Sequence, residues 1–251
     1  MVYFVGAGPG DKELITIKGL RYLSMADCVI YAGSLINHEL LNYAKRGCEF
    51  FDSAKMTLEE VIEVMLKNEK NNLTTARLHT GDPSIYGAIR EQMDELDKIG
   101  VAYGVVPGVS SFCAAAAALG AEYTLPGVSQ SLIITRMGGR TPVPANEDIE
   151  TFASHGATMI LFLSAGMLKE ASSKLIAGGY PPSTPAAIVY KASWPDERVF
   201  RTTVSELCET ACRNNITKTA LILVGSFLGD NYERSKLYDP SFTHGYREAA
   251  D

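Results

Sequence analysis

The chain has 251 residues, of which 46% are hydrophobic and 21% charged, and a formal net charge of −6. That is enough for one large or two modest domains with a proper core. The acidic balance disfavours general nucleic-acid binding, which needs a basic surface. No apolar run reaches the roughly 18–20 residues of a membrane span. The N-terminus opens directly on a strand, so no signal peptide is expected. Five cysteines without regular spacing argue against a disulfide framework and fit a reducing cytoplasm.

Residues 2–5, VYFV, read as a short apolar strand that ends in a turn, GAGPGD at 6–11. The turn imitates a dinucleotide fingerprint but lacks its third glycine. Pro9 removes an N–H, and Asp11 puts a negative charge where a pyrophosphate would lie. It is read as a ligand-facing turn, not as an NAD site. Leu14, Ile17, Leu20 and Leu23 suggest a helix, and 28–31 a second strand. Ser34 and Asn37 precede a further helical stretch, and 49–51 form a third strand. Thr57 and Glu60 make a capping box before a helix with one apolar face. A fourth strand, 75–79, runs into TGDPSIYG at 80–87, and a helix follows with Ile89, Met93 and Leu96 on one side. In this turn Gly81 and Gly87 permit close backbone approach, Pro83 fixes φ, Asp82 supplies a carboxylate and Tyr86 a ring with a polar tip. A fifth strand at 105–106 leads to PGVSS at 107–111, where Ser110 or Ser111 can cap the alanine-rich helix 112–119.

Strand and helix thus alternate five times, the pattern of a parallel sheet covered by helices. The turns beginning at Gly6, Gly81 and Pro107 all follow strands, so they share one sheet edge, where such folds bind ligands.

Residues 120–129 read as a linker, and 131–135 start a new sheet. A loop with two arginines and two prolines, RMGGRTPVP at 136–144, suits carboxylate recognition through Arg136 and Arg140. Residues 158–163 form a strand buried on both faces, and a helix follows that ends at Gly178 and Gly179. Residues 187–190 and 198–202 are expected to pair antiparallel around Pro195. A short helix near 205–213 precedes the last strand, 220–225. The polar tail from Asp230 is expected to be either disordered or folded over a neighbouring subunit.

Much familiar chemistry has no signature here. His38, His79, His155 and His244 form no H-x-x-x-H pair and there is no C-x-x-C, so no metal is expected. Cys208 and Cys212 read as core positions. No G-x-S-x-G elbow or Walker lysine occurs. His79 reads as a packing or orienting residue ahead of an acid–base one. The inferred site offers backbone, carboxylate, hydroxyl and aromatic groups without a nucleophile, which suits transfer between two bound molecules by positioning.

In that order, GAGPGD at 6–11, TGDPSIYG at 80–87 and VPGVSS at 106–111 resemble the tetrapyrrole methylases, over residues 2 to about 225. RMGGRTPVP at 136–144 and VYKASWPDE at 189–197 resemble the branch that methylates C11 of precorrin-4 or cobalt-precorrin-4 in cobalamin biosynthesis. The resemblance implies an N-terminal parallel-sheet α/β domain (1–120), a C-terminal mixed-sheet α/β domain (128–229) and a tail (230–251). It implies S-adenosylmethionine in the cleft between the domains, S-adenosylhomocysteine as product, a carboxylated tetrapyrrole substrate, a cytoplasmic homodimer, and neither nucleic acid nor membrane as partner. Carried over by motif, Pro9, Thr80, Gly81, Asp82, Ile85, Ser110 and Ser111 meet the cofactor, and Leu163, Ser164, Ala192 and Ala220 complete its pocket. Asp82 is expected to fix the cofactor and not to act as a base. Arg77, Arg136, Arg140 and Lys191 are expected to meet the substrate's carboxylates, and Tyr86 and His79 to orient the ring or handle a proton.

Two alternatives stand beside this reading. One keeps the family and changes the acceptor to another precorrin position, a diphthamide intermediate or ribosomal RNA. The other is a non-catalytic nucleotide-binding module that uses the glycine turns as a cradle.

Overall fold

The computed structural model describes residues 1–249; Ala250 and Asp251, the end of the expected tail, lie outside the described residues. By contacts the chain divides into two compact units. The first is Met1–Ala114 together with Ala192–Asp196, and the second is Ala115–Lys191 together with the chain from Glu197 onward. No shift in composition marks the excursion at 192–196.

The first unit runs β1 (Val2–Gly6), α1 (Ile17–Met25), β2 (Cys28–Tyr31), β3 (Glu49–Asp52), α2 (Leu58–Lys70), β4 (Thr75–His79), α3 (Ile89–Lys98), β5 (Tyr103–Val106) and the start of α4 (Ser111–Leu119). Its five strands form one sheet in the order β3-β2-β4-β1-β5, and every pairing is parallel. Successive strand residues point to opposite faces. Val5, Val29, Leu78 and Val106 therefore pack with Leu23 and Leu40 on one side. Phe4 and Ile30 pack with Val61, Met65 and Leu96 on the other. With both faces covered, the inner strands read as near-continuous apolar runs. The capping box opens α2 as expected: the Glu60 amide donates to Thr57 Oγ1 at 3.3 Å and the Thr57 amide to Glu60 Oε2 at 2.7 Å. The helix expected after Ser34 and Asn37 is instead two 3-10 segments, Gly33–Leu35 and His38–Tyr43. Gly33 has φ 51°, and the Asn37 side chain takes the Glu39 amide, so the chain turns afresh between them.

The second unit carries the rest of α4, then β6 (Leu132–Arg136), α5 (Ile149–Ala153), β7 (Thr158–Phe162), α6 (Leu168–Ala177), β8 (Pro185–Tyr190), β9 (Arg198–Thr203), α7 (Leu207–Arg213) and β10 (Ala220–Val224). The sheet order is β6-β7-β10-β8-β9. Only β6 and β7 run parallel, which makes the sheet mixed. β8 and β9 pair antiparallel around Pro195, with Val189 opposite Val199 and Ile188 opposite Phe200. Helix α5 has no counterpart in the sequence reading. It is five residues long, capped by Asp148, and packs where a side chain at Gly178 would lie 2.3 Å from the Glu150 carbonyl. From 230 to 249 the chain holds one 3-10 turn, Lys236–Tyr238, and a His244–Arg247 bridge. No helix of the described residues is long and apolar enough to cross a membrane.

Candidate active site

In the first sheet Gly6 lies level with His79 and Val5 with Val106, so β1, β4 and β5 end together. The turns that leave them lock to one another through backbone. Gly8 N–H donates to Gly81 O at 3.3 Å, Gly81 N–H to Gly8 O at 2.8 Å, and Ala7 N–H to His79 O at 2.8 Å. Gly108 seats against both neighbours. A Cβ on it would lie 2.2 Å from Gly81 O and 2.7 Å from Gly6 Cα, and a Cβ on Gly6 would lie 2.5 Å from Gly108 Cα. These glycines are required by mutual approach, since no side-chain atom fits between the turns.

Asp82 pins the same junction. Oδ2 accepts the Gly108 amide at 2.8 Å, and Oδ1 accepts the Ser84 amide at 2.8 Å and the Ser84 hydroxyl. Burial pushes this carboxyl up, but the Ser84 hydroxyl and the Gly108 and Ser84 amides together outweigh it and hold it below the usual carboxylate range. Both oxygens thus already serve the turns. Thr80 Oγ1 donates to Leu35 O at 3.1 Å, and the Ile85 amide returns to Asp82 O at 3.2 Å. Ser110 is buried and its carbonyl accepts the Cys113 amide, while Ser111 is the first residue of α4. The turn leaves through two left-handed residues, Tyr86 (φ 55°) and Ala88 (φ 49°). Each such residue costs about 1–2 kcal/mol. Between them Gly87 has no room for a Cβ, which would lie 2.1 Å from Pro83 O. Tyr86 is 47% exposed.

His79 and Arg77 lie beneath this edge and not on it. His79 is 4% exposed, and its Nε2 has no partner among the described residues. Burial, with the Arg77 charge beside it, pushes its pKa down to about 3 against a hydrogen bond with the Gly87 backbone. The ring is neutral across ordinary pH, so it can pack and orient but does not carry a proton. Arg77 is buried as well, and its guanidinium is turned to Gln92 and to the Ile30 and Leu78 carbonyls. Its Nε and Nη1 are therefore engaged inside the fold.

The first turn is covered by the excursion. The indole N–H of Trp194, the chain's single tryptophan, donates to Pro9 O at 2.9 Å. Its ring lies where a Cβ on Gly10 would be, 2.1 Å away. The Asp11 amide donates to Ser193 Oγ at 3.0 Å. The Asp11 amide, a group that a phosphate cradle would offer, is therefore already occupied, and the indole fills the space over Gly10. Sequence reasoning did not single out Trp194, and its one signal was a lone tryptophan in a proline-bearing loop.

In the second sheet Arg136 lies level with Phe162, and Tyr190 with Ala220. The ends of β6, β7 and β8 and the start of β10 therefore share an edge. Leu163 there is 68% exposed with φ 52°, Lys191 has φ 48° and Thr219 φ 55°. The Lys191 amide donates to Thr219 O at 2.9 Å. Ser164 is fully buried; its hydroxyl donates to Phe162 O and accepts the Met137 amide. Ala220 and Ala192 are buried. Arg136 closes its own loop on the Met137, Thr141 and Pro142 carbonyls, whereas Arg140 is exposed and Lys191 lies 5.5 Å over the Tyr190 ring. No group of three or more His, Cys, Asp or Glu among the described residues is placed to hold a metal.

The model of the Tetrapyrrole (Corrin/Porphyrin) Methylases matches residues 1–208. The chain belongs to this family. A cobalt-precorrin-4 C(11)-methyltransferase of Methanocaldococcus jannaschii is 52% identical to this methylase over 99% of the chain and 96% of its own length. One from Priestia megaterium is 47% identical over 98% of the chain and 97% of its length. Among solved structures, that of the cobalamin biosynthetic enzyme cobalt precorrin-4 methyltransferase superposes with a TM-score of 0.89 at 46% identity, covering 91% of this methylase and 96% of that chain. The uroporphyrin-III C-methyltransferase of Thermus thermophilus, solved with S-adenosylhomocysteine, gives 0.74 at 28% identity, covering 90% and 92%.

Proposed function

We propose that the chain is an S-adenosylmethionine-dependent methyltransferase acting on C11 of precorrin-4 or cobalt-precorrin-4. The observation that carries this reading is 52% identity over 99% of the chain to a relative of that name. The first-unit edge supports it chemically. Residues 6–11, 80–87 and 107–111 hold two carboxylates, Asp11 and Asp82; Asp11 accepts the Glu13 amide, and both oxygens of Asp82 accept hydrogen bonds from the turns. S-adenosylmethionine supplies a cationic sulfonium that becomes neutral as its methyl leaves. An edge rich in free carboxylates would hold the charged ground state too firmly and slow the transfer. Backbone and small side chains, with Asp82 already engaged, fit that requirement.

The chain's own contribution is alignment. Thr80, Gly81, Asp82, Ile85, Ser110, Ser111 and Pro9 present the edge to the donor. The assignment of Leu163, Ser164, Ala192 and Ala220 to the same ligand is carried by the resemblance. Exposed Arg140 and half-buried Lys191 take carboxylate arms of the substrate, Arg136 shapes the loop that carries Arg140, and Tyr86 faces the ring. The same reading makes the protein a cytoplasmic homodimer; its five cysteines are all free, as a reducing compartment requires.

Calorimetry tests the donor: S-adenosylhomocysteine binds, and NAD and ATP do not. The reverse result would establish a nucleotide-binding module instead. A methyl-transfer assay with precorrin-4 and with cobalt-precorrin-4 identifies the acceptor. Arg140→Ala raises the acceptor KM and leaves S-adenosylhomocysteine affinity unchanged; an unaltered KM removes Arg140 from the site. Sedimentation of the purified protein tests the dimer.

A further inference from the structure

Arg77 is an ionisable group in an apolar setting. It sits in the middle of β4, 7% exposed, level with Phe4 on β1 and Ile30 on β2. Among the described residues no carboxylate lies within ion-pair distance of it. Its acceptors are the Ile30 carbonyl at 3.4 Å, the Leu78 carbonyl at 3.3 Å and the side chain of Gln92 at 3.1 Å. A buried cation without a counter-ion is costly, so what it holds in place matters.

Gln92 is also buried, at 5% exposed. Its oxygen accepts from Arg77 Nε, which turns its amide nitrogen to the Ala88 carbonyl, 2.9 Å away. Ala88 precedes α3 in the left-handed conformation, with no side-chain cap. Helices α1 and α2 differ here: Thr16 and Thr57 cap them through their own hydroxyls. The start of α3 therefore lacks a side-chain acceptor for its free N–H groups, and the Gln92 amide acts on the other partner, holding the Ala88 carbonyl from within the helix. A glutamate at 92 would neutralise Arg77 better but would have no hydrogen for the Ala88 carbonyl. The amide is the side chain of that length that serves both partners.

We propose that Arg77 and Gln92 are positioning residues: a buried Arg77–Gln92–Ala88 relay locks the left-handed exit of the 80–87 turn and so fixes where Tyr86 and the turn's backbone meet the methyl donor. The last clause rests on the reading of this edge as the donor site. The lock itself does not.

Gln92→Glu tests the relay because it keeps an acceptor for Arg77 and removes only the donor to Ala88. The expected result is a melting temperature close to the parent's, at least tenfold weaker S-adenosylhomocysteine binding by calorimetry, and faster hydrogen exchange across 80–88. Ala88→Gly takes the left-handed conformation without strain, so the double variant Q92E/A88G recovers most of both losses. Parent-like binding and exchange in Q92E overturns the relay, and so does a loss that A88G leaves in place. If Q92E alone does not fold, A88G is compared with Q92E/A88G. Equal affinity and exchange support the relay; a deficit in the double variant overturns it. The exchange measurement needs no ligand. Parent protein that fails to bind S-adenosylhomocysteine therefore sinks the functional reading, while exchange still decides the relay.

Discussion

At the β1–β4–β5 edge of the first unit, the residues that come closest to one another are glycines, with Gly6 and Gly108 packed where no Cβ fits and Gly81 held at φ 64°. At the β7–β8–β10 edge of the second unit, unusual backbone is carried by Leu163, Lys191 and Thr219, all left-handed. For Thr219, which is β-branched, that conformation is a true outlier. The first edge gains its core shape by deleting side chains and bends Tyr86 and Ala88 only at its exit, and the second is shaped by bending residues that keep theirs. Deletion leaves a written trace, because glycine recurs where it is needed. Bending leaves none, because leucine, lysine and threonine occur everywhere. Left-handed residues gathered at one sheet edge point to function, since such strain persists only where the surroundings impose it.

The sharpest way to break this contrast is Gly108→Ala. Its methyl would be forced onto the Gly81 carbonyl, and we expect a loss of about 3 kcal/mol in denaturant unfolding. A loss under about 0.5 kcal/mol would mean that the turns do not need their close approach. The next effect concerns pH. His79 is kept neutral with a folded pKa of about 3, while an unfolded histidine takes a proton near 6.5. Below 6.5 the unfolded state binds the extra proton, so stability is complete above 6.5 and is lost as pH falls toward 3. The loss is on the order of 3 kcal/mol by pH 4.5. His79→Asn flattens that limb in urea titrations at stepped pH, whatever its effect at neutrality. An equally steep limb would place the acid sensitivity elsewhere.

How much of this was legible follows from the same contrast. The parallel sheet was readable because β1, β2 and β4 are buried on both faces and punctuated by glycine turns. The β8–β9 pairing was readable from Pro195 between two β-rich runs. The 3-10 segments at 33–43 were not, because apolar spacing over so short a stretch serves a loose turn as well as a helix. At the site, motif reasoning found the turns but not the bonds that hold them. Asp82 was expected to fix the cofactor, and its letter did not tell that its oxygens also serve Gly108 and Ser84. Arg77 was expected to face carboxylates, yet side-chain alternation turns it into the apolar layer under α2 and α3. A residue's chemistry can be read from its letter, but which side of a strand it occupies depends on register.

Smaller effects sharpen the comparison from the second unit. Leu163→Gly removes an exposed side chain from a left-handed position, so thermal unfolding should show stability held or raised by up to about 1 kcal/mol. A fall of the size seen for core truncation would show that Leu163 packs and is not strained. An effect of similar size and opposite sign is expected for Asp82→Asn, which swaps one acceptor oxygen for a donor. It should cost about 1 kcal/mol at neutral pH. The Asp82 carboxyl lies below its ordinary value when folded, so its contribution is present above the unfolded pKa and is lost as pH falls through the folded one. The variant lacks that component, and an unchanged acid profile would show that the carboxylate is not what pins Gly108.

The five-residue excursion at 192–196 limits how this protein can be divided. A fragment ending near residue 120 would contain all three glycine turns yet leave the Pro9 carbonyl and the Asp11 amide bare and Gly10 without its indole lid. Chimaeras between relatives that exchange N-terminal halves at that point would pair each first turn with a foreign tryptophan loop. A workable cassette has to carry two separate stretches of sequence, and recombination at a single crossover cannot move them together.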